Sequence, residues 1–250
     1  MLKTKDTNKV NEALIQEMFE AGAHFGYSKS RRHSSTKPFI FGAKGGTEII
    51  DLEHTYQFLE KALVFVKEIA SSGGSILFVG SKPEAKKIVL EGATSIDMPY
   101  VTERWIGGTL TNFPEIKKRV AHLKDLTDKK EKGELSIYTK KERLLIDREM
   151  DKLNRNFSGI VAMDKAPAAL FVVDAKHEEI AVTEAKKSGI PVISLSSSDC
   201  NIKEVNYPVL ANDSSVSSVK FFVDKIVDTY KKNKKEEVKE VEEVKEVKKD

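Results

Sequence analysis

The sequence predicts an α/β protein: a three-layer sandwich around a mainly parallel sheet, with an antiparallel helical hairpin inserted into it. Three observations predict this. Runs such as Ser75-Ile76-Leu77-Phe78-Val79 and Ala169-Leu170-Phe171-Val172-Val173 are continuously apolar, as strands buried on both faces are. Segments with helical spacing separate such runs, which is the order of βαβ units. Between residues 111 and 157 the strand pattern stops, and two narrow apolar stripes at spacings of three and four replace it.

In chain order, residues 1–9 form a polar N-terminal tail. Val10, Leu14, Met18 and Ala21 then mark one face of a helix ended by Gly22 and Gly26. His24 lies at its exit, where a lone histidine is ordinarily a hydrogen-bonded packing residue. Tyr27 to Lys37 reads as a basic loop with almost nothing to bury. Pro38 to Gly42 and Glu48 to Ile50 are two short strands around a glycine turn. Asp51 caps a helix to about Ala70, and the core strand ending at Val79 follows. Pro83 opens a helix to about Gly92, and Tyr100-Val101 is a short strand.

Arg104-Trp105-Ile106-Gly107-Gly108-Thr109-Leu110-Thr111-Asn112 is the joint of the chain and holds its only tryptophan. Trp105, Gly107, Gly108 and Asn112 are its structural candidates. Asn112 or Thr111 can cap the next helix, with Pro114 in the first turn. Two readings compete. In one the joint is a tight connector with Trp105 filling the core. In the other, Arg104 and open backbone amides meet a partner's phosphates. Gly-Gly pairs usually mark turns, which favours the first.

Beyond the joint, Ile116, Val120, Leu123 and Leu126, then Ile146, Met150, Leu153 and Phe157, give two amphipathic helices with a polar turn between them. Residues 111–157 thus read as a coiled-coil hairpin projecting from the body, which comprises 10–110 and 158–231. Further strands run from Pro167 to Asp174, from Ile190 to Ser194 and from Tyr207 to Leu210, with Asn212 or Asp213 capping a last helix to about Tyr230. Strands and crossover helices of this kind make a Rossmann or flavodoxin-like body. In residues 231–250, fifteen of twenty side chains are charged, so 232–250 reads as a disordered tail with only transient helix from Glu/Lys pairs.

Composition narrows the function. Of 250 residues 40% are apolar, enough for a core, and no apolar run approaches the roughly 18 residues of a membrane helix. The polar start is no secretory signal, and a single cysteine, Cys200, excludes a disulfide framework. A cytoplasmic protein is the simplest expectation. The net charge of +3 conceals local fields. Ala21 to Thr47 contains no acid, yet holds Lys29, Arg31, Arg32, Lys37 and Lys44 with His33 among them. Glu115 to Arg155 carries 13 basic and 9 acidic residues. Such fields attract a polyanion. Lys82, at a helix N-terminus after Gly80-Ser81, can hold a phosphate. Neither G-x-G-x-x-G nor a P-loop stands there, so a cofactor site is not indicated. Asp174 with His177 resembles a catalytic pair, but no nucleophile or metal cluster accompanies it, and helix capping is the better reading. No catalytic residue, metal or cofactor is expected.

Four stretches together resemble the bacterial-type ribosomal protein S-two family. They are Ala21-Gly22-Ala23-His24-Phe25-Gly26, Lys37-Pro38-Phe39-Ile40-Phe41-Gly42-Ala43, Arg104-Trp105-Ile106-Gly107-Gly108-Thr109-Leu110-Thr111-Asn112 after Phe78-Val79-Gly80, and Pro167 to Asp174 with Gly189-Ile190-Pro191-Val192. The resemblance implies a non-catalytic part in translation: binding small-subunit rRNA between head and body, beside neighbouring ribosomal proteins, and helping to dock the messenger-binding protein S-one. It implies no membrane and no small-molecule substrate. Two places depart from the family pattern. Tyr27 to Thr36 lacks its tryptophan and proline, and Ser196 to Asn201 replaces a T-N-x-D-P-like turn. The alternative is a sugar-isomerase-like or dinucleotide-binding enzyme, which the body alone would suit.

Overall fold

A computed structural model describes the backbone of residues 3–247 and the side chains of residues 12–234. Helix α1 (Lys3–Glu20) leads into a small antiparallel sheet of β1 (Phe25–Ser28), β2 (Ile40–Lys44) and β3 (Thr47–Ile50), ordered β1-β3-β2. The helix α1 thus begins before residue 10. The expected basic loop is also shorter than its sequence suggests. Tyr27 and Ser28 pair in β1, and Ser34–Phe39 form a 3₁₀ turn, because that segment docks on the body rather than staying solvated.

The main sheet has β4 (Ile76–Val79), β5 (Tyr100–Val101), β6 (Ala169–Val173), β7 (Val192–Ser196) and β8 (Tyr207–Leu210). All four pairings are parallel, and the order is β5-β4-β6-β7-β8. In chain order that is 2-1-3-4-5, the flavodoxin-like winding, whose ligand crevice lies where the order reverses, between β4 and β6.

Alternation along the strands separates two cores. Ile76, Phe78, Phe171 and Ile193 face α2 (Leu52–Ser71), α3 (Pro83–Thr94) and α7 (Val216–Val247), with α1 beside them. Leu77, Val79, Leu170 and Val172 face α6 (Glu179–Lys187) and the joint. Burial on both faces is why these strands read as continuous apolar runs.

After the joint come α4 (Phe113–Glu131) and α5 (Lys140–Phe157), linked by the 3₁₀ turn Glu134–Ile137. Gly133 takes the left-handed turn at φ 73°, and Thr139 with Glu142 forms a reciprocal cap that starts α5. Lys130 Nζ reaches Asp147 at 2.7 Å and His122 reaches Glu149 at 3.3 Å across the pair. Ile116, Val120, Leu123 and Leu126 of α4 are buried, whereas Ile146, Met150 and Leu153 of α5 are only half-buried. The root is continuous with the body, since Ile116, Val120 and Phe157 pack in the same cluster as Trp105 and Leu77.

Asp51 accepts the Glu53 N–H and caps α2 as expected. Neither Asn212 nor Asp213 caps α7. Asn212 accepts the Ser214 N–H in a turn, and Asp213 is buried in an ionic cluster. The helix α7 continues past Tyr230 to Val247, through the Lys/Glu-rich segment read as a disordered tail. Lys, Glu and Val without Gly or Pro offer nothing that ends a helix.

Candidate functional site

The acid-free stretch is fastened to the end of β7 by Ser198. Its Oγ accepts the Tyr27 N–H at 2.9 Å, and its carbonyl accepts the His33 N–H at 2.9 Å and the Thr36 hydroxyl at 2.8 Å. The two departures from the family pattern therefore meet in space, one built against the other.

Clamping sorts the basic candidates. Arg32 makes a 2.8 Å ion pair with Glu48, a residue only 2% exposed and one position past the acid-free run. The stretch is therefore not left without a neutralising acid, as the sequence suggested, because the antiparallel hairpin folds one back. His33 also acts locally, its Nδ1 accepting the Ser35 N–H at 3.2 Å to start the 3₁₀ turn. Lys29, Arg31, Lys37 and Lys44 remain exposed. Lys44 and Ser28 both pair with Thr47, which puts Lys29 and Lys44 at one end of the small sheet. Arg31 lies 5.5 Å from the centre of the Tyr27 ring, a cation–π contact made by an exposed side chain.

Lys82 is not a phosphate ligand waiting at a helix end. Its ammonium lies 2.5 Å from Asp174 and 3.3 Å from Asp213, at the C-terminal edge of the sheet. Burial opposes its charge, but the two carboxylates outweigh that and raise its pKa. One ammonium cannot satisfy both acids equally. Asp174 is held below the usual carboxylate range, since Lys82 and turn N–H groups overcome its burial. Asp213 is pushed up to about 6 by burial, against Lys82, with Asp174 adding to the rise. Asp174 also accepts the Lys176 and His177 N–H groups, each at 3.0 Å, closing the turn before α6; the N-cap of that helix is Glu178, so Asp174 caps a turn and not the helix. Cys200 donates to Asp174 at 3.4 Å, and burial pushes its thiol up. Asp174, Asp213 and Cys200 have ligand atoms within 4.8 Å of one another, but the Lys82 cation occupies their midst.

At the switch point itself, Glu178 accepts the Ser81 N–H at 3.0 Å and the Ser81 hydroxyl. The place where a doubly wound sheet takes a ligand is filled by the chain's own ion pairs and hydrogen bonds. A hollow of about 380 Å³ beside it is bordered by Lys86, Glu103, Arg104, Trp105, His177 and Ile180. Arg104 is exposed there.

The joint's backbone amides are not open. Glu184 of α6, 7% exposed, accepts Gly108 N–H at 2.7 Å, Leu110 N–H at 3.1 Å, Thr111 N–H at 3.3 Å and Trp105 Nε1–H at 3.2 Å. Burial works against its charge, but these donors lower its pKa. Trp105 is buried. Gly108 has φ 93°, while Gly107 does not need glycine's backbone freedom. Asn112 sits at the N-cap of α4 without a side-chain cap, its N–H going to the Gly108 carbonyl at 2.8 Å.

Residues 18–233 match the sequence profile of the family described as Ribosomal protein S2. The chain is 44% identical over 215 residues to the small ribosomal subunit protein uS2 of Chlorobaculum tepidum, covering 86% of each chain. It is 40% identical over 214 residues to uS2 of Chloroflexus aggregans, covering 86% of this chain and 90% of that one. The chain belongs to the ribosomal protein S2 family.

In this S2-family chain, three structural residues escaped sequence reading. Glu184 stands in no motif that the sequence singles out. Glu48 lay just past the acid-free run. Gly159 had no local motif, yet a Cβ there would lie 2.1 Å from the Tyr100 carbonyl. Only the pairing of distant segments reveals them.

Proposed function

We propose that the chain is a non-catalytic constituent of the small ribosomal subunit that binds its rRNA through the exposed cations of the β1–β3 region. The observation that carries this is the set Lys29, Arg31, Lys37 and Lys44, exposed and without an ion-pair partner among the described residues, in a chain whose relatives are small-subunit proteins. Arg32, His33 and Lys82 leave the contact set, being engaged internally; Arg104 stays in it. We read α4 and α5 as an antiparallel coiled-coil arm reaching neighbouring rRNA or protein, and the body as seated between head and body of the subunit. Support for docking S-one, and for a cytoplasmic location, comes from family membership. A switch point filled by Lys82, Asp174, Ser81 and Glu178 argues against the enzyme alternative. Among the described residues no helix is long and apolar enough to cross a membrane.

Co-sedimentation of the full chain with small subunits over a salt series tests this. Each lost phosphate contact lowers the slope of log K against log salt by roughly 0.7 to 0.9. A K29A/R31A/K37A variant is expected to lose about 2 to 3 from that slope, with an unchanged melting temperature. An unchanged slope and affinity would show that the loop is merely solvated.

A further inference from the structure

The helix α5 has two opposite faces. Ile146, Met150, Leu153 and Phe157 turn toward α4. On the other side Lys141, Leu145, Arg148, Lys152 and Arg155 recur at spacings of four, three, four and three, and all five are exposed. At 1.5 Å per residue the stripe runs for about 21 Å.

A charged face is ordinarily a solvated mixture of signs, but this one is not. The four acids of α5 lie on its flanks. Glu142 is taken by the cap of Thr139, Asp147 by Lys130 and Glu149 by His122. Asp151 stands close enough to Lys130 to help raise its pKa. No acid of the described residues pairs with Lys141, Arg148, Lys152 or Arg155. Two lysines of α4 differ: Lys118 and Lys129 pair with Glu115 and Asp125 of their own helix, while Arg119 and Lys124 of α4 and Arg143 of α5 are likewise without an ion pair among the described residues but lie off this line. Four cations without an ion pair among the described residues, Lys141, Arg148, Lys152 and Arg155, therefore share one outward line of α5.

We propose that this line is a second contact for the RNA sugar–phosphate backbone, independent of the β1–β3 region. It rests on the RNA-binding reading of the chain. The stripe has length and charge but no aromatic and no amide side chain, so it tracks phosphates and positions the arm without reading bases. Leu145 fits between cations as an apolar contact for sugars. An acidic protein surface is the competing occupant.

The test is binding of the full chain to purified small-subunit rRNA over a salt series. R148A/K152A/R155A is expected to lower the slope by about 2 to 3, with melting temperature and helix content unchanged because these side chains are exposed and unpaired. R148K/K152R/R155K keeps the charges and should keep the slope. K118A/K129A removes two paired lysines and should change it by less than half as much; an equal effect per charge would show that total charge, not the stripe, matters, and would overturn the proposal. So would an R148A/K152A/R155A variant that binds rRNA with unaltered affinity and slope but dissociates more readily from whole subunits, since the stripe would then face a protein. Loss of the slope in K29A/R31A/K37A alone would leave the RNA reading standing without the stripe. Absence of any salt-dependent rRNA binding by the unaltered chain would sink both.

Discussion

Glu184 shows how much one residue can decide. Its two carboxylate oxygens gather three backbone N–H groups, the Thr111 hydroxyl and the Trp105 indole. Glu184→Gln replaces one acceptor oxygen by an NH₂ facing donors. Each buried donor left unpaired costs about 1–3 kcal/mol. At about 2–4 °C per kcal/mol for a chain of this size, the melting temperature should fall by several degrees; an unchanged value would mean the joint holds without that carboxylate. Asp213 offers a test in pH. Its folded pKa of about 6 exceeds the roughly 3.9 of an unfolded aspartate. The folded state therefore holds that proton more tightly, and the associated stability is complete below about pH 4 and lost as pH rises through about 6. Asp174 and Glu184, both lowered, act oppositely, contributing stability above the carboxylate range and losing it as pH falls. Asp213→Asn isolates the one group. Denaturant titrations should show wild type losing on the order of 2 kcal/mol relative to Asp213→Asn between pH 4 and 7; parallel profiles would remove Asp213 as the titrating group.

At the scale of elements, α7 combines two kinds of helix. Val219, Phe222, Val223, Ile226, Val227 and Tyr230 are buried against the body, and the Tyr230 hydroxyl donates to the Gly74 carbonyl at 2.9 Å. Beyond Tyr230 the described side chains are exposed or half-exposed. Helical backbone there follows from composition and continuation of a docked helix, not from burial. Deleting Lys232 to Asp250 should therefore leave the melting temperature within about 2 °C, less than the shift expected from 1 kcal/mol. A fall of many degrees would show that this segment packs on the body.

For the molecule as a whole, the helix pair α4 and α5 shares its root with the body. Leu123, Leu126 and Leu135 are buried outside the body's clusters, whereas Ile116, Val120, Phe157 and Ile160 belong to the core beneath Trp105. Replacing residues 125–147 with a short Gly/Ser turn should preserve cooperative folding. Removing all of 111–157 should not, because loss of a large core side chain costs about 2–5 kcal/mol, and several go together. Equal melting temperatures for the two deletions would show that the hairpin root adds nothing to the body.

Sequence alone determined the class of fold, most of the order of strands and helices, and the family. These rest on local or repeated signals: continuous apolar runs for the strands, a period near 3.6 for the helices, a capping Asp51, and motifs that stay contiguous, such as the joint. What only tertiary structure decided is which charges are free. Arg32, Lys82 and Asp174 look like ligands for something outside the chain. The folded chain brings Glu48 to Arg32, and places Asp174 and Asp213 from separate strand ends around Lys82. Likewise the joint's amides are open in sequence and closed by Glu184, 74 residues beyond Leu110. Charge has no period and acts through space, so its partners cannot be read along a chain. The same physics leaves Lys29, Arg31, Lys37, Lys44 and the cations on the outer line of α5 without ion-pair partners among the described residues, and it is the fold that puts them on the surface.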